Sequence, residues 1–277
     1  MRFEEKLLVA QRRNNSWVCV GLDIQLGKMP LPLQRVDDPI LPFAQVIIDA
    51  TKDLVCAFKP NLGFFLAEGA VGVIALERLM RYIPPDIPII LDGKFGDIGS
   101  TAEQYARGAF EALHADAVTL SPYVGADAVK PFLAYADKGV FVLARTSNPG
   151  AGEFQNLAVE QGLLYEAVVR KATEWHRAGP GSCGLVVGAT YPHELEHVRQ
   201  LAPDLPFLVP GVGAQGGDLA ATVHHGPTSN GIGPVINASR SILYASGKTD
   251  FAEAARAAAQ KMRDDINVVR NQPRGKE

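Results

Sequence analysis

Two carboxylates and an ammonium group occur within six residues, directly after a strongly apolar stretch. Ile-Pro-Ile-Ile-Leu at 87–91 is followed by Asp92, Lys94 and Asp97. Such a run indicates a buried strand, and charges are costly to desolvate unless they are paired. Asp92 and Lys94 share one face of a strand, whereas Asp97 has the opposite parity and lies past its end. Charges that are fixed in position can stabilise charge that develops in a reaction, so this cluster is a candidate catalytic site.

Lys59 follows an earlier apolar run and would stand beside this pair if the two runs are neighbouring strands. Two lysines and two aspartates would then alternate in sign, and a neutral cluster of this kind tolerates burial. A purely structural ion cluster is the alternative, because ion networks also perturb titration. Next come Ser100 and Thr101, with Glu103 and Gln104 three residues after each, a doubled capping-box signal that predicts the start of a helix.

Eight short β-branched runs recur along the chain, with helical patterns between them, such as the one at 158–179. The runs span 17–23, 56–61, 87–94, 117–122, 139–146, 183–190, 206–212 and 233–240. Continuous apolar strands that alternate with helices predict a parallel sheet covered by helices. Eight such units in about 250 residues predict a closed (β/α)₈ TIM barrel, and a doubly wound open sheet is the competing architecture. No linker divides the chain, so residues 1–277 are predicted to form one domain, with a helix at 1–16 and a flexible tail at 271–277.

In such a barrel the chemistry lies at the carboxyl ends of the strands. Polar residues occur at six of these ends or just beyond them, namely Asp23, Lys59, Asp92, Lys94, Ser147, Gln215 and Arg240. The segments 211–217 and 237–242 follow the seventh run and end the eighth, where barrels commonly hold a phosphate. Gln215 and Arg240 are therefore predicted to bind phosphate oxygens. The Gly-, Ser- and Thr-rich segment 213–230 is predicted to be a loop, with His224 and His225 in it, that closes over the ligand.

The charged cluster resembles the signature of the orotidine 5′-monophosphate decarboxylase family. It reads Asp92-x-Lys94-x-x-Asp97-Ile98, with Thr101 following. Five further motifs resemble the longer, bacterial-type branch in the same order: VGLD at 20–23, FKPN at 58–61, RTSNP at 145–149, PGVGAQGGD at 210–218 and NASRSI at 237–242. The resemblance extends from residue 17 to about 243 and so covers almost the whole predicted domain.

This resemblance implies removal of CO₂ from C6 of the orotate ring of orotidine 5′-monophosphate. The product would be uridine 5′-monophosphate, made in de novo pyrimidine biosynthesis without metal, flavin or other cofactor. By the same resemblance, Lys94 stabilises the C6 carbanion and then protonates it, while Asp92 favours departure of the substrate carboxylate. Lys59 and Asp97 would hold this pair in alternating sign.

The resemblance also implies how the substrate is held. Asp23 and Lys59 would contact ribose hydroxyls, and Ser147 would meet the pyrimidine edge. In a homodimer, Asp97, Ile98 and Thr101 would complete the partner's site, with Thr101 touching the ribose, so that two shared sites result.

Composition favours an ordinary soluble enzyme and argues against two other classes. The net charge is −3 and the sequence pI is near 6.1, so no electrostatic footprint for nucleic acid is present. No apolar run approaches the roughly 20 residues that a membrane helix needs, and residues 1–16 are predicted to be an amphipathic helix rather than a signal peptide. The three cysteines lie in apolar runs, which indicates buried free thiols in a reducing cytoplasm.

Two literal motif matches are interpreted as structural. Residues 211–216 fit a dinucleotide fingerprint, but they follow the seventh run rather than the first, and no acidic residue occurs between Asp218 and Asp250 to hold a ribose. Residues 193–197 read His-Glu-Leu-Glu-His, a zinc-protease motif. Both histidines are predicted to face away from the core stripe of their helix, and no third ligand is apparent, so no metal site is assigned.

Three other functions remain possible at this point. A 3-keto-L-gulonate 6-phosphate decarboxylase has a similar charged row and requires Mg²⁺, but Lys59 and RTSNP favour the nucleotide enzyme. An aldolase that uses a lysine Schiff base needs a neutral lysine, whereas Lys94 is flanked by carboxylates. A phosphate-ligand binding protein or inactive scaffold would leave the complete charged row unexplained.

Overall fold

The structure, a computed structural model, describes residues 1–212 and 217–272. Its strands are Val18–Leu22 (β1), Ala57–Pro60 (β2), Ile90–Phe95 (β3), Ala117–Leu120 (β4), Gly139–Arg145 (β5), Ala158–Val159 (β6), Gly162–Leu163 (β7), Ser182–Val187 (β8), Phe207–Pro210 (β9) and Val235–Ala238 (β10). Eight strands form one parallel sheet in the order β2-β1-β10-β9-β8-β5-β4-β3, while β6 and β7 form a separate hairpin. Isolated bridges Phe58–Ile89 and Asn61–Asp92 join the two edges of this sheet. The predicted (β/α)₈ barrel is confirmed, and all eight predicted runs supply its strands.

Helices follow the strands and cover the outside of the barrel. They are Phe3–Arg13 (α1), Ile40–Thr51 (α2), Leu62–Leu66 (α3), Gly69–Tyr82 (α4), Gly99–Arg107 (α5), Ala126–Leu133 (α6), Gly152–Gln155 (α7), Leu164–Ala178 (α8), Pro192–Leu201 (α9), Leu219–His225 (α10), Arg240–Leu243 (α11) and Phe251–Arg270 (α12). The predicted helix at 1–16 corresponds to α1. The predicted tail begins one residue past α12, and residues 273–277 lie outside the described part of the chain.

Two sequence predictions about local structure are wrong. The helical pattern at 158–179 becomes helical only at Leu164, because residues 158–163 turn back on themselves as the β6–β7 hairpin. The segment 213–230 was predicted to be a loop throughout, but it contains α10, which is capped at its start by the Asp218 carboxylate accepting from the amide of Ala221 at 2.9 Å. Its histidines therefore end a helix instead of lying in a loop.

The predicted capping box before α5 is also absent. The helix begins at Gly99, with Ile98 as the N-cap residue and no side-chain cap bond. Ser100 and Thr101 thus lie inside the first turn, where their hydroxyls cannot act as an N-cap. The Asp97 carboxylate instead accepts from the backbone amide of Ile98 at 2.8 Å.

The barrel interior has an apolar floor that α1 closes from below. Floor residues share one buried cluster with two side chains of α1: Phe3, Leu7, Cys19, Cys56, Ala57, Ile90, Ala117, Phe141, Val186, Leu208, Ile232 and Val235. The Phe3 ring meets the Phe141 ring edge-on, with centroids 5.7 Å apart. A Cβ on Gly139 would lie 2.4 Å from the Phe3 ring, so glycine is required there. Polar groups two residues further along the strands therefore sit above a floor that excludes water.

The structure can be compared with two predictions made from the composition, that the thiols are buried and that no membrane helix is present. Cys19, Cys56 and Cys183 are free and buried, as predicted. Burial raises the pKa of the Cys19 thiol to about 12, so it is not an activated nucleophile. In the described part of the chain, no helix has both the length and the apolar character that crossing a membrane requires.

Truncation of Leu7, one of the two α1 side chains beneath the floor, tests whether α1 closes the barrel. Leu7 is 0% exposed, whereas Val9 on the same helix is 50% exposed. Leu7→Ala should lower the free energy of unfolding by about 2–5 kcal/mol, because it leaves a cavity beneath the floor. Val9→Ala, the matched control, should change it by less than about 0.5 kcal/mol. Urea denaturation measures both, and equal small effects would mean that α1 does not seal the barrel.

Candidate active site

A cavity of about 540 Å³ opens at the carboxyl ends of the barrel strands. It is lined by the predicted residues Asp23, Lys59, Asp92, Lys94, Ser147 and Arg240. The barrel therefore brings together six side chains that lie up to 217 positions apart in the sequence (240 − 23). Its size suits a ligand of nucleotide dimensions.

The centre of the site is a carboxylate held between two ammonium groups. Asp92 Oδ2 accepts from Lys59 Nζ at 2.7 Å, and Asp92 Oδ1 accepts from Lys94 Nζ at 2.6 Å. Barrel closure sets this geometry, because the Asn61–Asp92 bridge brings Asp92 level with the end of β2. Lys59 and Asp92 are buried, while the side chain of Lys94 is 51% exposed and faces the cavity. The predicted pairing of opposite charges is present for these three residues.

Burial and charge act in opposite directions on the buried pair. Burial would raise the pKa of Asp92, but the two ammonium groups outweigh it and hold the pKa well below its ordinary range. Burial likewise would lower the pKa of Lys59, but the carboxylates of Asp92 and Asp23 outweigh it and raise that pKa. Both groups therefore keep their charges at neutral pH despite their burial.

Local backbone structure aims Lys94 at the cavity. Lys94 has φ of +46°, a left-handed conformation that costs a non-glycine residue roughly 1–2 kcal/mol. The register of β3 against β4 shifts between Leu91 and Phe95, and the Phe95 ring folds back so that a Cβ on Gly93 would lie 2.4 Å from it. The motif Asp-Gly-Lys thus builds an irregular strand end, and glycine permits it.

Thr119 on β4 secures this irregular strand end, although the sequence analysis does not assign it to the site. Its hydroxyl donates to Asp92 Oδ1 at 2.9 Å and accepts from the backbone amide of Lys94 at 2.9 Å. The available signal was its spacing: Thr119 follows Ala117 by two positions on an otherwise apolar strand, which places it on the interior face above the floor.

The wall opposite the charged row is apolar. Leu143, Val186 and Leu208 line it and offer a surface for a planar ring. On another side, Asp23 Oδ1 and Asn237 Oδ1 are buried and have no hydrogen-bond partner within the described ranges. Buried acceptors without donors are rare, so these two oxygens are suited to hydroxyl or N–H groups of a ligand. Asn237 is a further cavity residue that the sequence analysis missed.

Of the two residues predicted to bind a phosphate, the structure describes one. Arg240 is the first residue of α11, follows β10 directly, and lines the cavity with an exposed side chain. Gln215, the other predicted phosphate ligand, lies outside the described residues.

Ser147 lies at the cavity on the loop after β5, as predicted from its motif. Thr146, Asn148 and Gln155 from the same loop also line the cavity, and none of them was assigned from the sequence. Gln155 comes eight residues after Ser147 and reaches the site only because α7 folds the loop back on itself.

Asp97 and Thr101 do not join this site within one chain. Neither lines the cavity, and Thr101 is exposed on α5. Among the residues that the structure describes, Asp97 has no ion pair, so the row of alternating charge ends at Lys94. Ile98, between them, is 55% exposed. This placement agrees with the strand-parity prediction that Asp97 lies past the strand end.

The zinc-protease motif lies on α9, with its histidines away from the helix's core face. Leu195 and Val198 are buried, His193 is exposed, and His197 Nε2 lies 3.1 Å from Glu166 Oε1. Within residues 1–212 and 217–272, no group of three His, Cys, Asp or Glu side chains could hold a metal ion.

Known proteins resemble this chain over nearly its whole length. Residues 16–258 match the model of the orotidine 5′-phosphate decarboxylase / HUMPS family. The orotidine 5′-phosphate decarboxylase of Ralstonia pickettii is 51% identical over 275 residues, 98% of this chain and 100% of that protein. That of Dechloromonas aromatica is 53% identical over 274 residues, with coverage of 98% and 100%. The solved structure of Leishmania donovani OMP decarboxylase is 40% identical, with a TM-score of 0.85 over 99% of this chain and 100% of that one.

Removal of the central carboxylate should destabilise the fold. Asp92→Asn leaves Lys59 buried without its main counter-charge and should lower the free energy of unfolding by about 3–5 kcal/mol at pH 7. The double variant Lys59→Met/Asp92→Asn should lose less than the sum of the two single losses, since no unpaired charge remains at that point. Asp137→Asn, at a carboxylate whose side chain is 62% exposed, is the matched control.

The same variant gives a pH signature. The pKa of Asp92 is lowered by folding, so its contribution to stability is present above about pH 4 and is lost as the pH falls below that value toward the folded pKa. The pKa of Lys59 is raised, so its contribution is present below about pH 10. The difference in the free energy of unfolding between wild type and Asp92→Asn should be constant from about pH 5 to 9 and should become smaller in more acidic solution. A gap that widens with acid would contradict the assignment.

Proposed function

Because the chain belongs to the orotidine 5′-phosphate decarboxylase / HUMPS family, we propose that it converts orotidine 5′-monophosphate to uridine 5′-monophosphate and CO₂. The observation that carries this conclusion is the Lys59–Asp92–Lys94 row at the wall of a nucleotide-sized cavity. The reaction is that of a carboxy-lyase in pyrimidine biosynthesis, and the barrel is its single catalytic domain.

The charged row supplies what this reaction needs. When the bond between C6 and the carboxylate breaks, CO₂ leaves and the electron pair remains at C6. The Lys94 ammonium stabilises that pair by its charge and then transfers a proton to C6, after which neutral Lys94 regains a proton from solvent. Asp92 lies 2.6 Å from Lys94 Nζ, so a substrate carboxylate near Lys94 also lies near a second negative charge that favours its departure. No metal, flavin or other cofactor takes part in these steps.

The remaining cavity residues fit the other parts of the nucleotide. We assign Asp23 and Lys59 to the ribose hydroxyls, since Asp23 Oδ1 is buried and has no donor in the described part of the protein. Ser147 meets the pyrimidine edge, and the apolar wall faces the ring. Arg240 binds the phosphate in this proposal.

The position of Asp97, partly exposed and outside the cavity of its own chain, supports a homodimer with shared sites. Asp97 and Thr101 would reach the partner's cavity, where Asp97 extends the charged row and Thr101 touches the ribose. Exposed apolar side chains beside them, Ile98 at 55% and Tyr105 at 44%, are suited to an interface. A two-fold axis makes each contact reciprocal.

The gulonate-phosphate reading is less favoured. A gulonate-phosphate enzyme would share the charged row. However, the two relatives described above, which are 51% and 53% identical to this chain, are both named orotidine 5′-phosphate decarboxylase. A Schiff-base aldolase is disfavoured because Lys94 donates to an ionised carboxylate. We also propose a cytoplasmic location, which the three free buried thiols support.

Direct assay tests the proposed reaction. Purified protein should remove the orotate absorbance of orotidine 5′-monophosphate, and dialysis against EDTA should leave the rate unchanged. Lys94→Ala should lose at least about a hundredfold in kcat, because the charge that stabilises the carbanion is gone. Lys171→Ala, at an exposed lysine on α8, is the control and should retain wild-type activity. No turnover by wild type, or loss on chelation that Mg²⁺ restores, would contradict the proposal.

Mixed dimers test the shared site. Lys94→Ala and Asp97→Ala homodimers should each be nearly inactive, because every site lacks one member of the row. Subunit exchange between them should create heterodimers with one doubly defective site and one intact site. Activity should therefore reappear, and it should fall on dilution below the dimer dissociation constant. Verified heterodimers as inactive as their parents would place Asp97 within its own chain's site.

A further inference from the structure

Arg145, the last residue of β5, carries a buried charge outside the catalytic row. Its side chain is 3% exposed and does not line the cavity. Its closest carboxylate, Glu194 Oε1, is 3.7 Å away, beyond hydrogen-bond distance, and Arg145 Nε has no partner in the described ranges. A guanidinium that is buried with such weak compensation is costly, so its position calls for an explanation.

The surroundings of Arg145 hold the guanidinium in one place. Arg145 Cζ lies 4.1 Å from the centroid of the Tyr191 ring, at the start of α9. From there Arg145 Nη1 donates to Gln155 Oε1 at 3.3 Å and lies 3.5 Å from the carbonyl oxygen of Thr146. The guanidinium is thus clamped between α9 and the inner end of the loop that follows β5.

Gln155 transmits this clamp to the cavity wall. Its Oε1 also accepts from the Thr146 amide at 2.9 Å, and its Nε2 donates to Thr146 Oγ1 at 2.8 Å. The Thr146 hydroxyl in turn donates to Asn148 Oδ1 at 2.6 Å. These bonds flank Ser147 on both sides and tie the two ends of the loop together. Arg145 and Gln155 therefore determine where Ser147 stands.

We propose that Arg145 is a positioning residue for recognition of the pyrimidine ring, acting through Gln155 on the loop that carries Ser147. This rests on the proposed function, in which Ser147 meets the ring edge. Because Arg145 acts through Gln155 on the loop that carries Ser147, and not on Arg240, its loss affects ligands that carry the base and spares ligands that lack it.

A comparison of two ligands tests this role. Arg145→Met should weaken binding of uridine 5′-monophosphate by about tenfold or more, the equivalent of one hydrogen bond to a charged group. Binding of ribose 5-phosphate should change by less than about twofold. Isothermal titration calorimetry gives both affinities, and kcat/KM for orotidine 5′-monophosphate should fall by at least the factor lost for uridine 5′-monophosphate. Arg145→Lys, which keeps the charge and one donor, should recover part of the loss.

Two further variants test whether Arg145 affects binding of the base through Gln155. Gln155→Leu should reproduce the base-selective loss, and the double variant Arg145→Met/Gln155→Leu should be little worse than the poorer single variant, because both act on one loop. Arg199→Met is the matched control. Arg199 is also stacked on an aromatic ring, 3.6 Å from the Phe207 centroid, and it binds backbone carbonyls, but it lines no part of the cavity. It should lower thermal stability without base-selective loss.

The outcomes separate this inference from the proposed function. The positioning role alone is contradicted if wild-type protein turns over orotidine 5′-monophosphate but Arg145→Met or Gln155→Leu shows no base-selective effect. In that case the variant loses the same affinity for both ligands, or loses affinity for neither. If Arg145→Met does not fold, Arg145→Lys and Gln155→Leu decide the question by the same comparison. Wild-type protein that neither binds uridine 5′-monophosphate nor decarboxylates the substrate contradicts the function and the inference together.

Discussion

The site depends on one buried carboxylate that accepts from two ammonium groups. Asp92 receives Lys59 on one oxygen and Lys94 on the other, at 2.7 and 2.6 Å. The two lysines cannot approach each other without it, because their charges repel in a low-dielectric setting. Lys59 remains charged in a buried position because of Asp92, and Lys94 is held against the cavity by the same group. Barrel closure between β2 and β3 is what brings these three residues to one point.

The barrel is built to keep this row dry on one side and open on the other. Beneath it, the floor and the two α1 side chains that close it are apolar, a low-dielectric setting that strengthens the ion pairs. Above it, Lys94 is half exposed, so a ligand can displace water from the ammonium to which we assign the proton transfer. The same two-residue alternation along the strands yields the floor and the row, since Ala57 and Ile90 lie one interior position below Lys59 and Asp92.

Strand positions and the charged row were predictable because both arise from short-range patterns: buried runs that end in polar residues, and spacing of two on one strand. The predicted capping box is absent because Ser100 and Thr101 lie two and three residues past the N-cap residue Ile98, and the Asp97 carboxylate accepts from the amide of Ile98 instead. The left-handed backbone of Lys94 and the role of Thr119 depend on a register shift between strands, which no local pattern reveals. The contact of Gln155 with Thr146 likewise requires a folded-back loop.

If Asp92 organises the chemistry as well as the fold, its replacement must impair turnover in protein that is still folded. Steady-state decarboxylation of orotidine 5′-monophosphate should be compared between wild type and Asp92→Asn at a temperature at which calorimetry shows both to be folded. We expect kcat/KM to fall by at least about a hundredfold, because a neutral amide neither fixes Lys94 nor disfavours the substrate carboxylate. Folded Asp92→Asn protein that decarboxylates within a few-fold of the wild-type rate would contradict this role of Asp92.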